Sequence, residues 1–86
     1  MPRISSFYGI AVWMYPGDHG RPHLHATYAE HRASIAIDSG AVLGGGLPPR
    51  QLGLIRKWIS LHQDELHANW ARAKNRQDLA KIDPLP

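Results

Sequence analysis

The sequence predicts an α+β fold: a three- or four-stranded antiparallel β-meander followed by one long C-terminal helix and an extended tail. Two observations predict this class. Up to residue 46, short runs of β-branched and aromatic residues are separated by turn-forming residues. From residue 47 onward, apolar residues recur at helical spacing. With 86 residues, we expect one small domain, 1–86, with a single modest core.

The first predicted strand covers residues 4–15. This stretch is rich in β-branched and aromatic residues and ends at the turn signal Pro16-Gly17-Asp18. We expect Gly9 to mark a bulge within it. Both sides of the strand carry large side chains, so we expect both to be at least half buried: Ile10, Val12 and Met14 on one side, and Ala11, Trp13 and Tyr15 on the other.

Two more strands are predicted over residues 23–29 and 32–38, joined by a tight reversal near Ala29-Glu30. A turn at residues 38–40 leads into a short strand over 41–43. This strand ends at Gly44-Gly45-Gly46, which we expect to be a flexible connection. The glycines match no phosphate-binding loop, because no Lys-Ser or Lys-Thr pair follows them.

A helix is predicted from about residue 49 to residue 75. An unbroken helix of that length would be about 40 Å long, longer than the sheet requires, so we expect a kink or a protruding end that meets a partner. In the tail, Leu79, Ile82 and Leu85 are expected to dock on the sheet. The predicted apolar face of the helix contains Leu52, Ile55, Trp58, Ile59, His62, Leu66, Trp70 and Ala73.

Composition narrows the function classes. The chain has a net charge of +3 and a pI near 9.7, which suits contact with nucleic acid or with an acidic partner. The absence of cysteine excludes disulfides, zinc ribbons and thiol nucleophiles. Because there is no signal pattern and no apolar run of roughly 20 residues, we expect neither secretion nor membrane insertion, and a cytoplasmic location.

Histidine is the unusual residue: the chain has six, and three lie within residues 18–25. His23 and His25 are two apart on a predicted strand, so their rings project from one face with Cα atoms about 6.6 to 6.8 Å apart. With Asp18 and His19 from the preceding turn, they are candidate ligands for a divalent metal such as zinc.

Two other interpretations need no metal. In the first, His23 and His25 exchange protons with an RNA phosphodiester that Arg21 holds, with the Thr27 hydroxyl on the same face. In the second, the histidines are purely structural and bond to backbone or carboxylate neighbours. The three tryptophans are suited to stacking on bases, but we expect them in the core, because Trp58 and Trp70 lie on the packing face of the helix.

The sequence resembles a bacterial family, domain-of-unknown-function family 4160. The resemblance runs through nearly the whole chain. Its strongest segments are Met1-Pro2-Arg3-Ile4, Phe7-Tyr8-Gly9-Ile10, Met14-Tyr15, Asp18-His19-Gly20-Arg21-Pro22-His23-Leu24-His25, Leu47-Pro48-Pro49-Arg50, Asn69-Trp70 and Lys81-Ile82-Asp83-Pro84-Leu85. The sequence departs from the family pattern at Gly20-Arg21, where Asn-Pro is frequent, and at Leu24, where Phe is frequent.

The resemblance implies a small stand-alone bacterial protein, often encoded beside a protein of domain-of-unknown-function family 2442. This pairing resembles a toxin–antitoxin module with the present family on the toxin side. We therefore expect a toxin-like component with a small acidic antitoxin-like partner and RNA as a further partner. Any activity would be centred on His23, His25, Arg21 and His19, and oligomerisation is also expected.

The alternatives are a module that binds protein or nucleic acid without chemistry, and a divalent-metal-binding protein. Charge clustering separates the two kinds of binding. Arginines gathered beside the histidines favour phosphate binding, whereas dispersed arginines favour protein docking. The arginines concerned are Arg3, Arg21, Arg32 and Arg50.

Overall fold

The computed structural model describes residues 2–17 and 20–86. It confirms the α+β class, with an antiparallel sheet in the order β1-β2-β3-β4-β5 followed by two helices. The described elements outnumber the predicted three or four strands and single helix. They are β1 Arg3–Phe7, β2 Ile10–Trp13, β3 His23–Tyr28, β4 His31–Ala36, β5 Val42–Gly46, α1 Pro49–Leu61 and α2 Gln63–Lys74.

The segment predicted as one strand over residues 4–15 is a hairpin, so that prediction was wrong. Phe7 pairs with Ile10, and Tyr8 and Gly9 form the turn between them. Their φ angles are 49° and 80°, the positive values that a two-residue hairpin of the mirror-image type needs at both positions. Gly9 is therefore a turn residue and not a bulge. Tyrosine is an unusual residue for the first position, which is why the sequence pattern did not indicate the turn.

The glycine run is also different from the prediction. Val42–Gly46 forms β5, in which Gly44 pairs with Ser34 and Gly46 with Arg32, and the register shifts beside Leu43. Gly45 has a φ of 68°, and a Cβ there would lie 2.2 Å from the Arg32 carbonyl oxygen. Glycine at this position allows β5 to approach β4 closely. The run is therefore an edge strand and not a flexible connection.

The predicted single helix is broken at His62, whose φ of −124° and ψ of 32° are not helical. The kink that the excess length predicted is thus confirmed, as a break between α1 and α2. Gln63 secures the junction by donating from Nε2 to the carbonyl oxygens of Ile37, at 2.7 Å, and of Ile59. In the part of the chain that the structure describes, neither helix combines the length and the apolar character needed to cross a membrane.

One face of the sheet packs against the helices. Phe7 contacts Trp58 with ring centroids 5.3 Å apart, which joins β1 to α1. The buried helix positions agree with the predicted apolar face, because Ile55, Trp58, Leu66 and Trp70 all lie in the core. The sheet contributes one side of each inner strand: Ile10, Val12, Leu24, Ala26, Ala33 and Ile35.

The C-terminal tail returns along β1, as predicted. The Ile82 N–H donates to the Ile4 carbonyl oxygen at 2.8 Å, and the Ile82 and Leu85 side chains are buried. Trp58 Nε1 donates to the Asp83 carbonyl oxygen at 2.7 Å. The tail therefore covers the β1 edge of the sheet, while β5 forms the opposite edge.

Candidate functional site

The sheet face opposite the helices is open and carries two rows of side chains, each with one position on every strand. Strand alternation produces them, because residues next to each row position along the inner strands point into the core. All row positions are exposed or half-buried. The first row is Arg3, Trp13, His25, Ser34 and Gly44, and the second is Ser6, Ala11, Thr27, Arg32 and Gly46.

A pocket of about 430 Å³ lies on this open face. Trp13 and Tyr15 line it from the β2 side, and Arg32 lines it from β4. Its described lining combines aromatic rings, hydroxyl groups, a guanidinium group and the backbone of two glycines. The lining residues are Trp13, Tyr15, His25, Thr27, Arg32, Ala33, Ser34, Gly44 and Gly45.

Trp13 does not share the core position of the other two tryptophans. Trp58 and Trp70 are buried, as expected, but Trp13 is half-buried on the open face. Its Nε1 donates to Thr27 Oγ1 at 3.2 Å. Because this bond ties the indole to β3, the ring is a fixed wall of the pocket.

His23 and His25 come together as their spacing predicted. Their ring centroids are 5.1 Å apart with an interplanar angle of 76°. His23 also lies 5.0 Å from the Trp70 ring, and His25 lies 4.7 Å from the Tyr15 ring. The four rings form a continuous series from α2 to the pocket.

Hydrogen bonds hold both imidazoles. His23 Nδ1 donates to the Arg21 carbonyl oxygen at 2.9 Å, and since a carbonyl only accepts, Nδ1 carries the proton. His25 Nδ1 shares a hydrogen bond of 3.3 Å with Ser34 Oγ, and its Nε2 is buried. Of these two histidines, the described pocket lining includes only His25. Imidazoles held by such hydrogen bonds are better suited to a structural role in the sheet than to proton exchange with a substrate.

The remaining predicted site residues contribute less. Arg21 is exposed, and it is its carbonyl oxygen that meets His23. Asp18 and His19 lie outside the described residues. Within residues 2–17 and 20–86, no group of three His, Cys, Asp or Glu side chains is placed to hold a metal ion. The metal site stays a prediction, which elemental analysis of the protein and of a His23→Ala, His25→Ala double variant would test.

The charged side chains that the strands place on the open face are all positive. The five described strands contain no Asp or Glu, and the two arginines within them, Arg3 and Arg32, both fall on the open-face rows. Arg50 is instead exposed in the first turn of α1. Arg32 thus lines the pocket with His25, Arg3 lies two strands away on the same face, and Arg21 and Arg50 lie outside the strands, so the arrangement that favours phosphate binding is met only in part.

The sequence reasoning named Arg32 among four arginines for phosphate binding, but it missed Tyr15 and Ser34 as site residues. A signal for Ser34 and Arg32 is present in β4, where they alternate with buried Ala33 and Ile35. Their position opposite Trp13 and His25 depends on the pairing register of three strands, which the alternation alone does not define.

Comparison with known proteins agrees with the resemblance read from the sequence. No curated protein and no solved structure matches the chain. One family model does match, over residues 9–71, and its description is Domain of unknown function (DUF4160). The match spans β2 to β5, α1 and most of α2, and so includes every described lining residue of the pocket. Because the model covers well over half of the residues, the chain belongs to the DUF4160 family.

Proposed function

We propose that this protein is a small module that binds single-stranded RNA on the open face of its sheet. The observation that carries the proposal is the composition of that face. Trp13, Tyr15, hydroxyl groups and Arg32 line one pocket, Arg3 lies on the same face, and the strands of that face hold no carboxylate. Aromatic rings stack on bases and arginines pair with phosphates, which is how sequence-tolerant single-strand binders work.

A single strand suits this face better than a duplex. Stacking on Trp13 or Tyr15 requires a base whose flat surface is free, and in a duplex the neighbouring base pairs cover that surface. The five-stranded sheet also offers a broad surface for an extended chain. Strands lie about 4.8 Å apart, so β1 and β4 place Arg3 and Arg32 about 14 Å from each other across the sheet, enough for separate phosphates.

Protein docking is the weaker interpretation of this face. Stable protein interfaces usually bury an apolar centre depleted of charge. Here the centre of the face contains His25, Thr27 and Ser34, with Arg32 beside them. The two arginines attract polyanions most strongly at low salt.

Fluorescence anisotropy with a labelled single-stranded RNA of about ten nucleotides tests the proposal. We expect Arg32→Ala to weaken binding about tenfold, the effect of losing one charge-assisted hydrogen bond. We expect Trp13→Leu to weaken it by a similar or larger factor through lost stacking. The matched control is Lys57→Ala, which removes the same charge from the exposed side of α1.

Equal losses in the Arg32 and Lys57 variants would show that only net charge matters, and would overturn the assignment to this face. Equal affinity for duplex and single-stranded RNA would remove stacking as the basis of binding. Thermal unfolding of each variant separates a lost contact from a lost fold.

The family resemblance implies a toxin-like role, and RNA binding on the open face is the molecular activity that we propose for it. If RNA bound on the open face mediates it, overproduction of the wild-type protein slows bacterial growth and overproduction of the Arg32→Ala variant does not. Co-expression of the small acidic partner then restores growth. Growth inhibition of equal strength by both forms, at equal protein levels, would separate the toxin-like role from the open face.

RNA cleavage is a second candidate, favoured by the 5.1 Å separation of the His23 and His25 rings beside the pocket. Two adjacent imidazoles are a common arrangement for transferring protons at a phosphodiester. The test is incubation of the labelled RNA with the wild type and with the His23→Ala, His25→Ala double variant. Cleavage that disappears in the folded double variant supports catalysis, whereas intact RNA with the wild type leaves binding alone.

A further inference from the structure

We infer that the open-face pocket is a binding site for one ribonucleotide unit, which stacks its base beside Trp13 and Tyr15 and places its phosphate on Arg32. The inference rests on the proposed RNA-binding function and deepens it, because it assigns a position on the face where a single nucleotide monophosphate binds by itself. The remainder of an RNA chain would then extend across the two rows.

Pocket size is consistent with a single nucleotide. Small-molecule sites usually have volumes of about 300 to 1,000 Å³, and this pocket, at about 430 Å³, is near the lower limit. One base with its sugar and phosphate is a ligand of that class, whereas several nucleotides are not.

The order of the lining groups across the sheet matches the order of groups in a nucleotide. Trp13 lies on β2, the hydroxyl-bearing Thr27 and Ser34 lie on β3 and β4, and Arg32 lies on β4. Two strand spacings separate β2 from β4, about 9.6 Å, and the long arginine side chain covers part of that distance. An aromatic base, a sugar with hydroxyls and a phosphate therefore meet stacking, hydrogen-bonding and cationic groups in sequence.

Glycine keeps the β5 side of the pocket open. Gly44 lines the pocket, and a Cβ added there would meet nothing within 4 Å. Its φ is not left-handed, so the fold does not need glycine at this position. A larger side chain at residue 44 would project from the open face into the pocket and occupy the volume assigned to the ligand.

Gly53 provides the matched control. It is exposed in α1, and a Cβ there also meets nothing within 4 Å, but it is not among the described lining residues. Leucine at residue 53 therefore adds the same bulk on the surface of α1, and leucine at residue 44 adds it inside the pocket.

The experiment titrates adenosine 5′-monophosphate into the isotope-labelled protein and follows the three tryptophan indole N–H signals by NMR. We expect the Trp13 signal to shift saturably, with a Kd of about 1 mM or below, and the signal of buried Trp58 to stay in place. We expect Gly44→Leu to weaken binding at least about tenfold. Gly53→Leu should retain wild-type affinity.

Two ligands that each lack one part of the nucleotide test which pocket residues bind the base and which bind the phosphate. Adenosine lacks the phosphate and ribose 5-phosphate lacks the base, so each should bind more weakly than the complete nucleotide. In the Arg32→Gln variant, adenosine and its monophosphate should bind equally. This variant also keeps the inference testable if Gly44→Leu does not fold.

The outcomes separate the two levels of the proposal. Single-stranded RNA binding that depends on Arg32, together with no Trp13 shift by the mononucleotide, would overturn the pocket assignment and leave the proposed function intact. Mononucleotide binding that is unaffected by Gly44→Leu in a folded protein would place the ligand elsewhere and also overturn it. Absence of both oligonucleotide and mononucleotide binding would overturn both.

Discussion

Gly44 and Gly45 are neighbours in β5 with opposite steric surroundings. A Cβ on Gly44 meets open space, whereas a Cβ on Gly45 would lie 2.2 Å from the Arg32 carbonyl oxygen, at a φ of 68°. We expect Gly45→Ala to lower the free energy of unfolding by about 1 to 3 kcal/mol, because the alanine strains the backbone and its Cβ displaces β4. Gly44→Ala should change it by less than about 0.5 kcal/mol. Urea denaturation of both variants measures the difference, and equal stabilities would contradict this account of β5.

Asn69 is the residue that joins α2 to the tail. It is fully buried, its Nδ2 donates to the Ala80 carbonyl oxygen at 2.8 Å, and its Oδ1 accepts from the Ala80 N–H at 2.9 Å. We expect Asn69→Ala to cost about 2 kcal/mol of unfolding free energy, because both Ala80 groups lose their partner. Asn75→Ala is the control, since Asn75 is exposed at the end of α2 and bonds only locally, to Ala71. A cost no greater than that of the control would show that the pair of bonds contributes little.

At the scale of elements, the two edges of the sheet differ. The tail protects β1 by the Ile82-to-Ile4 hydrogen bond and by burying the Ile82 side chain. At β5, the register shift beside Leu43 and the left-handed Gly45 distort the strand. Bulges of this kind discourage pairing with further strands. The tail thus protects the β1 edge from pairing with further strands, and the distortion of β5 protects the other edge.

Displacing the tail should therefore expose the β1 edge. We expect Ile82→Asp to detach the tail, because a carboxylate is costly to bury in the core, and to cause concentration-dependent association through β1. Sedimentation velocity at several concentrations measures the association. The control is Ala80→Asp, which adds the same charge at an exposed tail position. An Ile82→Asp protein that stays the same size at every concentration would show that the tail is not needed to protect this edge.

At the scale of the whole molecule, the sheet separates two environments. Its inner face and the helices enclose the core, while its outer face carries Arg3 and Arg32 without a strand carboxylate. The net charge of +3 is small, so its distribution matters more than its size. A polyanion would be directed to the outer face by these arginines and held there by short-range contacts with Trp13.

This arrangement predicts a modest salt dependence for single-stranded RNA binding. Each neutralised phosphate contributes about −0.7 to the slope of log K against log salt concentration, so contacts from Arg3 and Arg32 give about −1.4. We expect Arg32→Ala to reduce the magnitude of the slope by about 0.7 and Lys57→Ala to leave it unchanged. Anisotropy titrations at increasing potassium chloride concentrations measure the slope, and an Arg32 variant with the wild-type slope would show that this side chain makes no phosphate contact.

Local sequence patterns were sufficient for the fold class, the shared face of His23 and His25, the packing face of the helices and the docking of Ile82. These features follow from side-chain periodicity, which a chain carries whatever its neighbours are. The same patterns failed at Tyr8-Gly9, because tyrosine is an unusual residue at the left-handed first turn position, and at the glycine run, because glycine shows a permissive backbone but not the strand with which it pairs.

The functional site was predicted only in part, for a related reason. The spacing of His23 and His25 placed their rings on one face, and the structure brings them within 5.1 Å. The hydrogen bond of His25 to Ser34, and the pocket formed with Trp13 and Arg32, depend on residues from four strands in a particular register. A one-residue change of register would turn each of those side chains to the other face. Pattern along the chain therefore decides which residues share a face of one strand, and only pairing between strands decides which of them meet.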